Sequence, residues 1–283
     1  MEGQPAHFIL HLFSMRILKS AIALLIVTVS LISCSDYNKI VKGDDYQRKF
    51  ETANELYDSK QYLRSVTLYE QIYQRMPKTG EGELAYFRIG KSYYEVEDYY
   101  MAGYYLGSFT QRFPFSPKAQ EALFLSAMCS VNNSPEPSLD QNETELAINN
   151  LQQFINTYPE SNLVDSCNKI MDKLRLKLEI KDYDAVKLYA KTENYRAAVT
   201  CALTFNEDYP RSKFREEMYY LLVKNSYYLA INSIDDKKCE RIEQTIERYR
   251  TFVAEFPNTE YKSELSGFDE KMNRDFEVLC SKK

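Results

Sequence analysis

Few residues of this chain combine the types and spacings that chemistry needs. Its two histidines, His7 and His11, both precede Met15. A chain cut after an N-terminal signal therefore keeps no imidazole. That removes the usual general base and any triad that depends on it. It also removes the commonest zinc ligand, and no Cys, Asp and Glu set has metal-ligand spacing. No metal or cofactor is expected. The acidic clusters are Glu143 with Glu145, Asp235 with Asp236, and Glu51, Glu55 and Asp58. They read as solvated charges in loops, at helix starts and along a polar helix face. The chain is expected not to be an enzyme.

The cysteines make no Cys-x-x-Cys pair. Cys129, Cys167 and Cys201 read as small buried residues in helices. Cys239 and Cys280 flank an expected antiparallel helix pair that turns near Pro257, at similar distances on either side. An oxidising compartment would permit a disulfide between them, so a bonded pair and two free thiols are both open.

Cys34 stands in a different setting. Leu31-Ile32-Ser33-Cys34 ends an apolar run, Ala21 to Ile32, that follows Arg16 and Lys19. The run is short for a membrane span and has the layout of a secretory signal. Its ending resembles the bacterial lipoprotein signal, in which cleavage before the cysteine leaves a lipidated N-terminus. The expected order is a signal peptide over 15–33, lipid on Cys34, and a short polar linker to residue 45. Residues 1–14 fit no signal plan and are expected to lie upstream of the true start at Met15. Acyl chains on Cys34 would tether a water-soluble domain to a membrane.

A formal net charge of −5 gives no support to a nucleic-acid partner. With only 8 glycines, no Gly-rich phosphate loop is present. The aromatic set is biased, with 24 tyrosines and no tryptophan. Tyrosines at this density fill gaps between helices or line a peptide groove.

The elements that would position any site are helices. Met76-Pro77, Phe113-Pro114, Tyr158-Pro159, Tyr209-Pro210 and Phe256-Pro257 each follow an apolar residue four positions before the aromatic or methionine: Ile72, Phe109, Phe154, Phe205 and Phe252. Proline just past a helix is a stop signal. The prolines are 37, 45, 51 and 47 residues apart, as helix–turn–helix repeats with insertions would be. The second unit matches the tetratricopeptide (TPR) signature at Tyr86, Ile89-Gly90, Tyr93, Ala102, Leu106, Phe109 and Pro114. In the first unit Lys49 and Thr52 depart from it. The expected fold is all-α: a TPR-like α-solenoid of about five helix-pair repeats with a C-terminal capping helix. The repeats are placed at about 46–77, 83–114, 118–159, 179–210 and 214–257, with the cap at 260–280. The Pro-rich stretch Asn132 to Ser138 is expected to be an exposed, mobile loop, and Asp235 to Lys238 a polar break.

In TPR units the first helix of each pair lines the concave surface. Candidate groove positions are Leu84, Phe87, Lys91, Tyr94 and Glu95 in the second unit. In the first they are Gln47, Phe50, Asn54, Tyr57 and Asp58. Rings interleaved with charges suit an extended peptide. The alternative for Phe87 and Tyr94 is packing against the neighbouring repeat.

The chain as a whole resembles the BamD family, lipoprotein subunits of the outer-membrane β-barrel assembly machinery. The likeness is most specific at FTQRFPFSPKAQEALFLSA (from Phe109) and in the stretch from Tyr158 to Pro210. There a Tyr-Pro-x-Ser, a long basic helix and a Tyr-x-x-Ala-Val helix pair occur together. The resemblance implies assembly rather than catalysis. N-terminal repeats would receive C-terminal segments of unfolded outer-membrane proteins. C-terminal repeats would dock on BamA, the barrel subunit, among other assembly subunits. Lipid on Cys34 would hold the protein at the periplasmic face of the outer membrane, and Ser35 is compatible with that sorting. Two other readings are a periplasmic TPR scaffold for envelope biogenesis and a SusD-type glycan-binding lipoprotein. The second is disfavoured by length and by the missing tryptophan.

Overall fold

The computed structural model describes residues 36–280. The signal segment, Cys34 and residues 1–14 lie outside the described residues. Among those described there is no strand. A helical turn over 36–42 precedes eleven helices. They are α1 (Tyr46–Asp58), α2 (Tyr62–Arg75), α3 (Gly80–Glu95), α4 (Tyr99–Arg112), α5 (Ala119–Asn133), α6 (Asn142–Thr157), α7 (Val164–Lys191), α8 (Tyr195–Asp208), α9 (Arg215–Ile231), α10 (Asp235–Glu255) and α11 (Lys262–Leu279). The class is all-α and TPR-like.

One device ends α2, α4, α6, α8 and α10. The residue before each proline, namely Met76, Phe113, Tyr158, Tyr209 and Phe256, leaves the helix and donates its N–H to the carbonyl four residues back. Proline forbids the helical conformation to its predecessor, so the break is local in origin. The accepting residues are Ile72, Phe109, Phe154, Phe205 and Phe252, all fully buried. The next turn starts with a hydroxyl. Ser116, Ser161, Ser212 and Thr259 accept the N–H two residues on, and Thr79 that of Gly82. At the other end of three hairpins, Lys60, Glu97 and Glu193 take the left-handed conformation, with φ of 61°, 63° and 56°. Each reverses the chain in a single residue.

The described residues divide into two compact units, one ending at Asn132 and one beginning at Asn133. In the first, α1 to α4 enclose a core of Ala53, Leu68, Tyr69, Ile72, Ala85 and Ile89. A second core joins Tyr86, Phe87, Leu106 and Phe109 to Ala122 and Cys129 of α5. Residues 36–42 are not a free linker. Tyr37, Ile40 and Val41 pack on the first core. The Tyr37 hydroxyl donates to the Arg64 carbonyl at 2.9 Å, and the Arg64 guanidinium lies 4.2 Å from the Tyr37 ring centre. Lys49 explains its own departure from the TPR pattern. Its ammonium is buried and donates to the Val41 carbonyl at 3.1 Å and to Gln71 Oε1. A buried charge is tolerated when its donors are bonded.

In the second unit, α7 runs 28 residues. Its N-terminal half buries Cys167, Met171 and Leu174 beside α6, and its C-terminal half buries Val186 beside α8. Residues 133–144 are held by hydrogen bonds to the rest of the unit. Gln141 is buried and donates to the carbonyls of Glu136 and Leu139. Lys177 donates to Ser134, and Lys181 to the Leu139 carbonyl. Asp235 and Asp236 form the first turn of α10, where they favour the helix dipole, so that stretch is a helix start rather than a break. On α11, Leu265 and Met272 are buried and Phe268 stacks on Tyr227 at 4.2 Å.

Candidate peptide-binding surface

The side chains that could contact a partner in the first unit come from one face of α3 and the neighbouring face of α1. On α3, Glu81, Leu84, Arg88 and Lys91 are partly exposed and Glu95 is exposed; Glu83, Tyr93 and Tyr94 are partly exposed as well. The first five repeat at helical spacing and so form one stripe. Phe87 is not on it. Its ring is 5% exposed and packs 5.3 Å from Phe109, inside the second core. Placing Phe87 in the groove is therefore corrected by one position. The surface residue is Arg88.

Arg88 organises the polar part of this face. Its guanidinium donates to Asn54 Oδ1 at 2.6 Å and to the Tyr69 hydroxyl at 3.0 Å. It also lies 4.7 Å from the Tyr57 ring centre. Tyr69 itself donates to Asn54 at 2.8 Å. Burial pushes the Tyr69 phenol up to about 12, against the pull of Arg88. The Tyr57 phenol is raised too, by burial first, with Lys91 and Arg88 acting against it. Both rings are neutral at physiological pH and serve as donors and apolar walls.

Lys91 bonds Glu121 of α5 at 2.8 Å. Burial disfavours its charge, but Glu121, Tyr57 and Glu95 outweigh that and raise its pKa. Tyr94 meets Tyr99 edge-on at 5.6 Å and bonds Asn132. Phe50 and Tyr57 pack partly against the first core. The structure thus brings Tyr57, Lys91 and Glu95 together with Arg88, while Phe87 belongs to the interior. Arg88 was legible only through its register: it lies four residues after Leu84 and three before Lys91.

The second unit carries a cavity of about 410 Å³ between α7, α8 and α9, walled by Lys187, Lys191, Tyr195, Glu217, Lys224 and Tyr228 among others. Sequence reading named none of these. Tyr195 and Tyr228 stack at 5.3 Å, and Lys187 lies 3.5 Å from Glu217. Near the C-terminus, Cys239 and Cys280 are joined by a disulfide with a Cα–Cα distance of 5.6 Å, linking α10 to the end of α11. Cys129 and Cys167 are buried and unoxidised, and burial pushes the Cys129 thiol up to about 12. Among the described residues, no helix is long and apolar enough to cross a membrane.

A family model described as an outer membrane lipoprotein, YfiO, matches residues 43–203 and 182–273. The outer membrane protein assembly factor BamD of Caulobacter vibrioides is 20% identical over 215 residues, covering 75% of this chain and 70% of that protein. A solved Podospora anserina kinesin light chain with TPR-like repeats aligns with 75% of this chain and 96% of its own. The TM-score is 0.31 and the identity 12%. The family model spans both units, from the first helix to most of the last. The chain therefore belongs to the BamD-like YfiO family of outer membrane lipoproteins.

Proposed function

We propose that the protein is a lipid-anchored subunit of a β-barrel assembly machinery. It receives C-terminal segments of unfolded outer-membrane proteins and docks on a BamA-like barrel subunit. The observation that carries this reading is the family match across nearly all of the folded chain. The role is binding, not catalysis. In this reading Cys34 bears the lipid and holds the domain at the periplasmic face of the outer membrane. Because residues 36–42 are docked on the first core, only Ser35 separates the anchor from folded structure. The first unit would then sit close to the lipid.

The face built from Phe50, Tyr57, Leu84, Arg88, Lys91, Tyr94 and Glu95 is the proposed client site. Arg88 and Lys91 would donate to peptide carbonyls, Glu95 would accept from peptide N–H groups, and the rings would supply contact area. The second unit would carry the barrel-subunit contact. Repeats couple chiefly to their neighbours, so distant ones can serve separate partners.

The test uses full-length protein in membranes. Cys34→Ala should move it from the membrane to the soluble fraction; an unchanged membrane fraction contradicts the anchor. Arg88→Ala with Tyr94→Ala should weaken binding of a C-terminal peptide from an outer-membrane protein and leave BamA association intact. Lys187→Glu with Lys191→Glu, in the second unit, should do the reverse. If each pair weakens both partners equally in a folded protein, the division is wrong. A TPR scaffold for cell-wall enzymes remains the competing reading, and it would leave the peptide unbound.

A further inference from the structure

In the second unit one half-buried cation has no carboxylate partner among the described residues. Arg248, on α10, is half-buried and donates through Nη1 to the Ser226 hydroxyl of α9 at 2.7 Å. No carboxylate pairs with it, and burial alone lowers its pKa, with no opposing anion. An uncompensated guanidinium in such a place costs stability. It lines a cavity of about 330 Å³ with Leu203, Asn206, Glu207, Tyr219, Leu222 and Thr251. Asn206 is anomalous in the same way. Both atoms of its carboxamide are buried and neither has a hydrogen-bond partner. An unsatisfied carboxamide on α8 and a guanidinium on α10 with no carboxylate partner thus share one cavity.

We propose that this cavity is a binding site for a side-chain carboxylate, Glu or Asp, presented by a partner polypeptide. A carboxylate is planar, singly charged and matches the guanidinium fork. Its second oxygen would accept from the Asn206 amide. A phosphate fits less well, because Arg248 is the only cation among the described residues that line the cavity, and Glu207, exposed, stands beside it. Leu222, which is buried, and Leu203, which is 44% exposed, supply the apolar part of the wall beside Tyr219 and Thr251. They would cover the methylenes of the acidic residue and an aliphatic neighbour. Leu203 and Glu207 of α8 line the cavity and are exposed, so a projecting residue of a protein surface would reach it from that side. The site is independent of the client face in the first unit.

The test is an NMR titration of the whole mature chain, observed at the Arg248 side-chain signals. The probes are acetyl-Leu-Glu-Leu-amide, its Gln analogue, and butyrate. The Glu peptide should shift Arg248 saturably, with the Gln analogue at least tenfold weaker and butyrate weaker than the peptide. Arg248→Gln, followed at the Asn206 side-chain amide signals, and Asn206→Ala, followed at the Arg248 signals, should each weaken the Glu peptide at least fivefold. Arg248→Met should raise the thermal midpoint, because it removes an unpaired charge. Should Arg248→Gln fail to fold, Arg248→Lys, which keeps the charge but loses the fork, takes its place with the same expected loss. Equal responses to the Glu and Gln peptides, or no shift at Arg248, overturn the site. Butyrate binding as tightly as the peptide overturns the polypeptide partner in favour of a free carboxylate.

Discussion

An added Cβ at Gly90 would lie 2.8 Å from Leu106 Cγ and 3.2 Å from the Leu106 backbone nitrogen. The missing side chain is what lets α3 and α4 touch. Leucine there has no space to enter without separating the helices. Gly90→Leu should cost roughly 1–3 kcal/mol, read as a lower urea midpoint; an unchanged midpoint would mean that the crossing is looser than described. A second residue-scale prediction concerns acid. Glu264 lies 2.8 Å from Lys224 and accepts from the Tyr220 hydroxyl at 2.9 Å. Burial raises its pKa, but the bonds to Lys224 and Tyr220 outweigh that and hold the carboxyl below its ordinary range. A depressed folded pKa stabilises the fold above the unfolded value. That contribution is lost as pH falls through the folded one. Glu264→Gln should therefore lower stability at neutral pH and bring the two proteins together at strongly acidic pH. A constant difference across the whole range would contradict this. The pair is partly exposed, so the effect is small.

At the scale of elements, the same turn is built five times. Its hydroxyl residue secures the start of the following helix, and at Ser116 and Ser212 it also reaches a glutamate. Ser116 donates to Glu83 at 2.6 Å, and Ser212 bonds Glu179 in the equivalent place. Ser212→Ala removes the acceptor for the Phe214 N–H and the donor to Glu179 together. It should cost about 1–3 kcal/mol, measured by thermal or denaturant unfolding; a cost near zero would show that water replaces both bonds. The helix stops and the TPR class were legible because proline acts through local sterics on the residue before it. Ile72, Phe109, Phe154, Phe205 and Phe252 carry a fixed offset that a single sequence displays. The register of α3 was harder to read. Phe87 and Arg88 are adjacent, and hydrophobicity alone does not say which faces a neighbouring repeat. The docking of residues 36–42 depends on Tyr37 meeting Arg64 and on Lys49 meeting Val41 and Gln71, contacts between elements that no local pattern announces. Residues 133–144 carry loop composition, yet Lys177 and Lys181, far away in sequence, hold them. The cavity of Arg248 and Asn206 was also out of reach, because three helices, α8, α9 and α10, contribute to its lining.

At the scale of the whole molecule, two units each enclose their own cores, and the family model spans both. Membership in an outer membrane lipoprotein family fixes the setting in which these surfaces work. The most direct measurement is affinity capture of the tagged full-length protein from detergent-solubilised outer membranes, with the captured proteins identified by mass spectrometry. The account predicts a BamA-like barrel subunit captured in near-stoichiometric amount. Its capture should survive Arg88→Ala with Tyr94→Ala and be lost with Lys187→Glu and Lys191→Glu. Recovery of cell-wall enzymes or of a TonB-type transporter, with no barrel subunit, would contradict it.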